Sequence, residues 1–416
     1  MESQALITND AVVLGMLLAM LAFVFTTHSS QSNFWKRFYG IVPSIFVCYF
    51  LPSLFATLGV IDGEASNLYF VASRYLLPTS LVLLTISVDI PGILRLGPKA
   101  LIMFFTGTVG IMIGGPVAIL VVGTIAPEAV GGDGPAAVWR GLSTVAGSWI
   151  GGSANQAAMK EVFEVGDDLF SSMIAVDVVV ANIWMAVLLF MVGRAKRIDA
   201  WLGSDTSAID QLRQRVEEYD RAHARIPTLT DLIQILAVGF GVTAVSHLLA
   251  DAIAPAIGNA APGLAVYNLT SQFFWLVVLA TTMALILSYS RVRRIEHAGA
   301  SKIGSACLYV LVATIGMRMN LAAVLDRPQL FLIGGVWMAF HAILMLGVAK
   351  AIRAPVFFMA VGSQANVGGA ASAPIVASAV HPALAPVGAL LAVLGYAIGT
   401  YGAYLCGQLM RVVASG

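Results

Sequence analysis

Residues 147–155 read GSWIGGSAN and residues 362–374 read GSQANVGGAASAP, and each stretch interrupts an otherwise apolar segment. Glycine destabilises the interior of a helix, so both stretches predict breaks in helices. Polar backbone at membrane depth is tolerated only where it is buried in protein or lines a wet cavity. The two breaks therefore predict a pair of re-entrant hairpins, over residues 137–163 and 354–380, whose tips meet at a polar site.

The rest of the sequence has the composition of a membrane protein. Of its 416 residues 59% are hydrophobic and 11% are charged, whereas a soluble domain has about 25% charged residues. The net charge of +1 offers no excess that would attract nucleic acid. We therefore predict an all-α polytopic protein of the inner membrane, surrounded by the lipid bilayer. Apolar segments long enough to cross the hydrocarbon core as helices occur at residues 10–27, 39–60, 70–90, 99–125, 168–192, 230–251, 270–289, 300–317, 329–350 and 384–410.

The longest polar stretch, residues 193–228, divides the chain into two halves with the same order of segments. LLTISVDIPGILRLGP before it corresponds to LVATIGMRMNLAAVLDRP after it, and in both halves a spanning run, a glycine break and another spanning run follow. Ile209, Leu212, Val216 and Tyr219 fall on one helical face and predict an amphipathic linker helix. The basic residues of the stretch predict that the linker is cytoplasmic and the amino terminus external. We predict two inverted repeats, 1–192 and 229–416, each with five transmembrane helices and one re-entrant hairpin.

The two breaks also predict a binding site. Helices that begin after the glycines direct free N–H groups at the cavity, which suits an anionic solute. Carbonyl groups before the breaks, with Asn155 and Asn366, suit Na⁺. Gly152 and Gly369 are expected to need a positive φ or close contact with a ligand. The alternative is that these small residues only allow close helix packing, as in GxxxG interfaces. The predicted substrate- or ion-binding residues are Ser148, Gly151, Gly152, Ser153, Asn155, Ser363, Asn366, Gly368, Gly369 and Ser372.

Asp177 lies in the middle of the apolar run SSMIAVDVVVANIWMAVLLF. An ionised carboxylate is unfavourable there unless it faces a partner or water. We predict that Asp177 couples a cation, either as a ligand of Na⁺ together with Asn155 and Asn366 or as a proton carrier. A structural partner for a neighbouring helix is the alternative. His341, alone on an apolar helix, is expected to be a core histidine rather than a proton relay.

At both glycine breaks and at the turns DIPGILRLGP and NLAAVLDRP, the chain resembles a bacterial membrane-protein family of unknown function, number eight-one-nine. The resemblance covers nearly the whole length and implies membership of the broad group of cation:proton antiporters and anion transporters. It implies a carrier similar to sodium/glutamate symporters, with a dimerising scaffold and a transport domain that slides as an elevator. The chain departs from the antiporter members because it lacks their adjacent pair of membrane aspartates.

Taken together, the residues and the resemblance predict a secondary active transporter that carries a small organic anion with Na⁺ by symport and forms a homodimer. One alternative is a Na⁺/H⁺ antiporter with no organic substrate. Another is a non-transporting membrane receptor or scaffold that acts through the linker. The sequence has no HExxH, Walker or GxSxG motif, so we expect neither an enzyme nor a cofactor other than a coupling Na⁺.

Overall fold

The structure is a computed structural model that describes residues 6–204, 209, 227–319, 327–381 and 384–414. Within these ranges the regular secondary structure is helical, apart from an isolated bridge between Ile7 and Ile61. The predicted all-α class is therefore confirmed. Most of the predicted linker helix, residues 193–228, lies outside the described residues, although a short helix covers its beginning.

The described helices follow one another closely along the chain. One of them, Leu68–Ile86, contains one turn of π-helix, at Ala72–Leu76. The first half contains α1 (Asp10–His28), α2 (Asn33–Tyr39), α3 (Ser44–Thr57), α4 (Leu68–Ile86), α5 (Ile90–Leu94), α6 (Pro98–Ile125), α7 (Val138–Val162), α8 (Asp167–Val192) and α9 (Ala195–Leu202). The second half contains α10 (Leu229–Ala260), α11 (Gln272–Ser288), α12 (Ala300–Gly316), α13 (Gln329–Ala351), α14 (Val356–Val367), α15 (Gly369–Val380) and α16 (Ala385–Ala414).

Several of these helices are long and apolar enough to cross a membrane. Among the described residues there are seven, namely α1, α4, α6, α8, α10, α13 and α16. The number rises to nine if two bent pairs each count as one span, α2 with α3 and α11 with the 3₁₀-helix Arg291–Ala298. Helix α12 has 17 residues and is shorter than these spans. Each predicted apolar segment thus contains one helix, and the chain is a multi-pass membrane protein.

Side-chain caps determine where the first helix of each half begins. The Asn9 side chain accepts a hydrogen bond from the Ala11 N–H at 2.9 Å. At the start of α10, Thr228 Oγ1 accepts from the Asp231 N–H and Asp231 Oδ2 accepts from the Thr228 N–H, at 3.3 and 2.9 Å. This reciprocal pair is a capping box, which satisfies amide groups that the first turn of a helix leaves free.

Packing divides the helices into two groups. The panel group contains α1, α3, α4, α10, α11 and α12, and the hairpin group contains α6, α7, α8, α13, α14, α15 and α16; helices pack mainly within their own group. At the centre of the hairpin group, Trp149 and Trp337 are fully buried with ring centroids 5.0 Å apart. Both glycine breaks lie in the hairpin group, so the polar backbone at the breaks is enclosed by protein.

Candidate functional site

The first glycine break turns α7 back on itself. The rings of Trp139 and Phe163, at the two ends of the segment, have centroids 5.6 Å apart. Arg140 Nη1 also donates to the Phe163 carbonyl at 2.5 Å. An unbroken helix rises about 1.5 Å per residue and would separate these ends by about 35 Å. The reversal occurs at Gly152, whose φ of 74° and ψ of −175° lie outside the helical region.

The second break makes a similar reversal between α14 and α15. Gln364 Nε2 donates to Ser372 Oγ at 2.7 Å across the break. In the first hairpin, residues with the same separation are in contact, because a Cβ built on Gly147 would lie 2.6 Å from the Asn155 carbonyl oxygen. Gly369 has a φ of 59°. The expectation of positive φ at the two break glycines is confirmed, and side chains with a Cβ are strained in this region.

The two hairpin tips line one cavity of about 410 Å³. The panel group forms the facing wall with residues of α12 and of the chain around the start of α3. Among the described lining residues there is one carboxylate, Asp177, and no lysine, arginine or histidine. The predicted site residues that line the cavity are Ser148, Gly152, Ser153, Asp177, Gly368, Gly369 and Ser372. Polar lining residues absent from the predicted set are Ser44, Asn182, Ser305, Tyr309, Gln364 and Tyr396.

Asp177 is held at the first hairpin by three neutral donors. Its Oδ2 accepts from Ser148 Oγ at 2.7 Å and from Gln156 Nε2 at 3.0 Å, and its Oδ1 accepts from Trp149 Nε1 at 2.7 Å. None of the described basic side chains is within ion-pair distance of it. Hydrogen bonds of this kind offset part of the cost of burying a carboxylate, but they leave its charge unneutralised. Asp177 is therefore a buried acidic group beside a polar cavity.

The two asparagines that were predicted to bind Na⁺ do not line the cavity. Both are fully buried. Asn155 Oδ1 accepts from Thr400 Oγ1 of α16 at 2.7 Å, and Asn366 Oδ1 accepts from Thr108 Oγ1 of α6 at 2.8 Å. Each Nδ2 also donates at 2.9 Å to the carbonyl four residues earlier in the chain. Because these oxygens already have donors, the geometry favours a packing role for Asn155 and Asn366 over the predicted ligation of Na⁺.

Two further predicted residues, Gly151 and Ser363, also lie away from the cavity. Gly151 packs against α16, where a Cβ on Gly399 would lie 2.5 Å from the Gly151 Cα. Ser363 Oγ accepts from Trp184 Nε1 at 2.8 Å and contacts His341 Nε2 at 2.8 Å. This places Ser363 and His341 in the buried interior of the hairpin group, as expected for a core histidine.

The lining residues that the sequence did not predict have two different origins. Gln364 and Asn182 are polar residues in segments already under consideration, so their polarity was an available signal. The residues of the facing wall, such as Ser305 and Tyr309, reach the cavity only because α12 packs against the hairpin group. No local pattern marks such residues, since their position depends on packing between segments distant in sequence.

A second cavity, of about 590 Å³, lies where the panel and hairpin groups meet. Arg74 of α4 pairs with Glu161 of α7 at 2.8 Å. Arg318, which follows α12, pairs with Asp167 of α8 at 2.9 Å, and Lys160 pairs with the same carboxylate at 2.8 Å. Each of these charged side chains therefore has an oppositely charged partner, and ion pairs join the two helix groups.

Fold and site together define a multi-pass membrane protein in which two helical hairpins enclose a polar cavity, an arrangement compatible with a transporter in general. The sequence profile of the family described as "Protein of unknown function (DUF819)" matches residues 15–413. The chain therefore belongs to the DUF819 family, as the sequence motifs indicated. No curated protein matches the chain.

Proposed function

We propose that this protein is a secondary active transporter whose solute site is the cavity between the two hairpin tips. The observation that carries the proposal is the meeting of two separate glycine breaks, one from each half of the chain, at a single cavity beside a buried carboxylate. Broken helices whose ends face a polar site at membrane depth are a recurrent feature of secondary transporters.

The solute in this proposal is a small organic anion. A helix of ten residues or more follows each reversal, and its first N–H groups have no acceptor within the helix. These groups carry a partial positive charge and suit a carboxylate. The cavity volume of about 410 Å³ limits the solute to a small molecule.

The proposed coupling ion is Na⁺, with Asp177 as the charged ligand. An anion that entered this cavity alone would add to the charge of Asp177, because the described lining residues include no basic side chain. A co-transported cation offsets that repulsion, which supports symport. Asn155, Asn366 and Asp177 were the residues predicted to bind Na⁺. Of these three, Asp177 lines the cavity.

The proposed architecture is two inverted repeats, 1–192 and 229–416. The order of helices supports it, since each half has three panel-group helices, then a long helix, a broken hairpin and another long helix. We further propose an external amino terminus, a cytoplasmic linker, a bacterial inner membrane and a homodimer formed by the panel group. In an elevator mechanism the hairpin group would slide against the panel group and carry the cavity with it.

The proposal is tested by uptake into proteoliposomes that contain Gly152→Ala or Gly369→Ala protein. Positive φ strains alanine at both positions, so uptake should fall severely while the purified protein stays folded. The control is Gly335→Ala in α13, because a Cβ there meets nothing within 4 Å and the φ is not positive. Retained uptake with raised melting temperature in both break variants would contradict the proposal.

A Na⁺/H⁺ antiporter without organic substrate is the second candidate. The observation that favours it is that Asp177 is the one carboxylate among the described lining residues of the cavity. Proton movement driven by a Na⁺ gradient, with no organic solute present and abolished by Asp177→Asn, would support the antiporter. The receptor or scaffold alternative depends on the linker, and it predicts that deletion of residues 206–222 abolishes function while hairpin substitutions are silent.

A further inference from the structure

The side chain of Gln364 has a buried oxygen that lacks a partner. Gln364 is 1% exposed, and its Nε2 is oriented by the hydrogen bond to Ser372 Oγ. Its Oε1 is buried and has no hydrogen-bond partner among the described residues. An unpaired buried acceptor is unfavourable, and such a group in a native structure calls for an explanation. Because Gln364 lines the cavity at the second hairpin tip, a bound ligand can supply the missing donor.

The charge of the cavity indicates which kind of donor fits. Asp177 is the carboxylate among the described lining residues, and basic side chains are absent from that lining. Asp177 Oδ1 accepts from Trp149 Nε1 and retains capacity for a further donor. The side chains of the cavity thus offer oxygen acceptors and a negative charge, whereas the helix ends after the two glycine breaks offer backbone N–H groups.

We propose that the transported carboxylate also carries an amino group and that Gln364 is the residue that selects it. This inference rests on the proposed function. The ammonium group donates to Gln364 Oε1, and the charge of Asp177 balances the ammonium charge. The carboxylate of the same solute faces the N–H groups at the helix ends. A carboxylate that lacks the amino group leaves Gln364 Oε1 unpaired and is repelled by Asp177.

The experiment measures solute binding to the purified full chain in nanodiscs, by calorimetry and thermal shift. The probes are matched pairs that differ only by the amino group, alanine with propionate and glutamate with glutarate, each with and without Na⁺. The amino member should bind at least about tenfold more tightly, because a hydrogen bond to a charged group contributes at least that factor.

Substitutions at Gln364 then test the selecting role. Gln364→Leu should lower the affinity ratio of each pair by about tenfold, because the hydrogen bond to the ammonium group is lost while the charge of Asp177 remains, and the affinity of the deaminated member should change little. Gln364→Glu keeps an acceptor and should keep the preference, and it serves as the second variant if the leucine protein does not fold. The matched control is Gln408→Leu, since Gln408 also has a buried unpaired Oε1 but lies on α16 outside this cavity. Its preference should equal that of the unsubstituted protein.

Equal binding of both members of each pair would overturn the inference and leave the proposed transport of carboxylates intact. The inference would also be overturned if Gln364→Leu weakened the Na⁺ dependence of both members equally, since the oxygen would then belong to a Na⁺ site. If no carboxylate bound and the substitutions at the break glycines left transport unchanged, the proposed function itself would fail, and the inference with it.

Discussion

The two hairpins share a backbone conformation but differ in the side chains at their tips. Both reverse at a glycine with positive φ, and both bring residues eight positions apart into contact across the break. At the first tip the donors surround the carboxylate of Asp177, whereas at the second tip the amide of Gln364 retains an unpaired oxygen. The two hairpins therefore share the same backbone reversal, but different polar side chains lie at their tips.

The asparagine contacts show the same divergence. Asn155 follows Gly152 by three residues, whereas Asn366 precedes Gly369 by three residues. Each nevertheless accepts from a threonine on a neighbouring long helix. Since the two contacts use opposite arms of their hairpins, a two-fold repeat would not superimpose one on the other. A two-fold repeat can therefore account for the glycine breaks but not for the asparagines.

The largest expected effect is a loss of uptake on substitution of the break glycines, and it should be greater at Gly152 than at Gly369. Gly152 combines positive φ with ψ near 180°, a region that is essentially restricted to glycine, and Tyr396 lies 3.4 Å from a Cβ built there. A Cβ on Gly369 meets nothing within 4 Å. Gly152→Ala should therefore reduce uptake by about 100-fold, and by more than Gly369→Ala, in side-by-side initial-rate measurements. Equal effects would show that steric contact at Tyr396 and the extended ψ of Gly152 do not matter.

The next prediction concerns the carboxylate of Asp177, which accepts hydrogen bonds from the first hairpin. Asp177→Asn removes the negative charge, so the Na⁺ midpoint for solute binding should rise about tenfold or more. Calorimetric titrations at varied Na⁺ would measure it. Asp168→Asn is the matched control, because Asp168 is exposed in the first turn of the same helix. An unchanged midpoint in the Asp177 variant would assign that residue a purely structural role.

A smaller effect is expected at the asparagine contacts, and here the two hairpins should behave alike. Thr400→Val and Thr108→Val keep the side-chain shape but remove the donor to a buried amide oxygen, which costs about 1–3 kcal/mol of stability. Thermal unfolding in detergent would report the loss. Thr124→Val, at an exposed position of α6, should change the melting temperature little. A clear difference between the two buried variants would mean that one asparagine has another donor.

The smallest effect should come from the ion pairs between the helix groups. Glu161→Gln weakens the pair with Arg74, and we expect a loss of about 1 kcal/mol that shrinks as salt is added. Melting temperatures at low and high ionic strength would test this. Glu164→Gln is the control, since Glu164 is 75% exposed and lies 3.9 Å from Arg140. The idea would fail if the Glu161 variant lost as much stability at high salt as at low salt.

The sequence predicted those parts of the site that depend on local backbone chemistry. The glycine pairs marked both reversals, and the position of Asp177 in an apolar run marked a buried acid. The sequence did not indicate the packing contacts of Asn155 and Asn366, because an amide near a break has the same appearance whether it faces a cavity or a neighbouring helix. Pairings such as Arg74 with Glu161 join distant segments, and no periodicity or spacing indicates which acid a given arginine meets.

The contact between Gly151 and Gly399 determines which parts of the molecule can move separately. Here two main chains touch with no side chain between them, and α16 brings a second glycine, Gly395, whose Cβ would lie 2.5 Å from the Ile150 carbonyl oxygen. Backbones that meet with no side chain between them pack closely, and separating them would lose that packing. We therefore expect any displacement that opens the cavity to move α16 and the first hairpin together. The smallest moving body of the proposed carrier is thus larger than the hairpin alone.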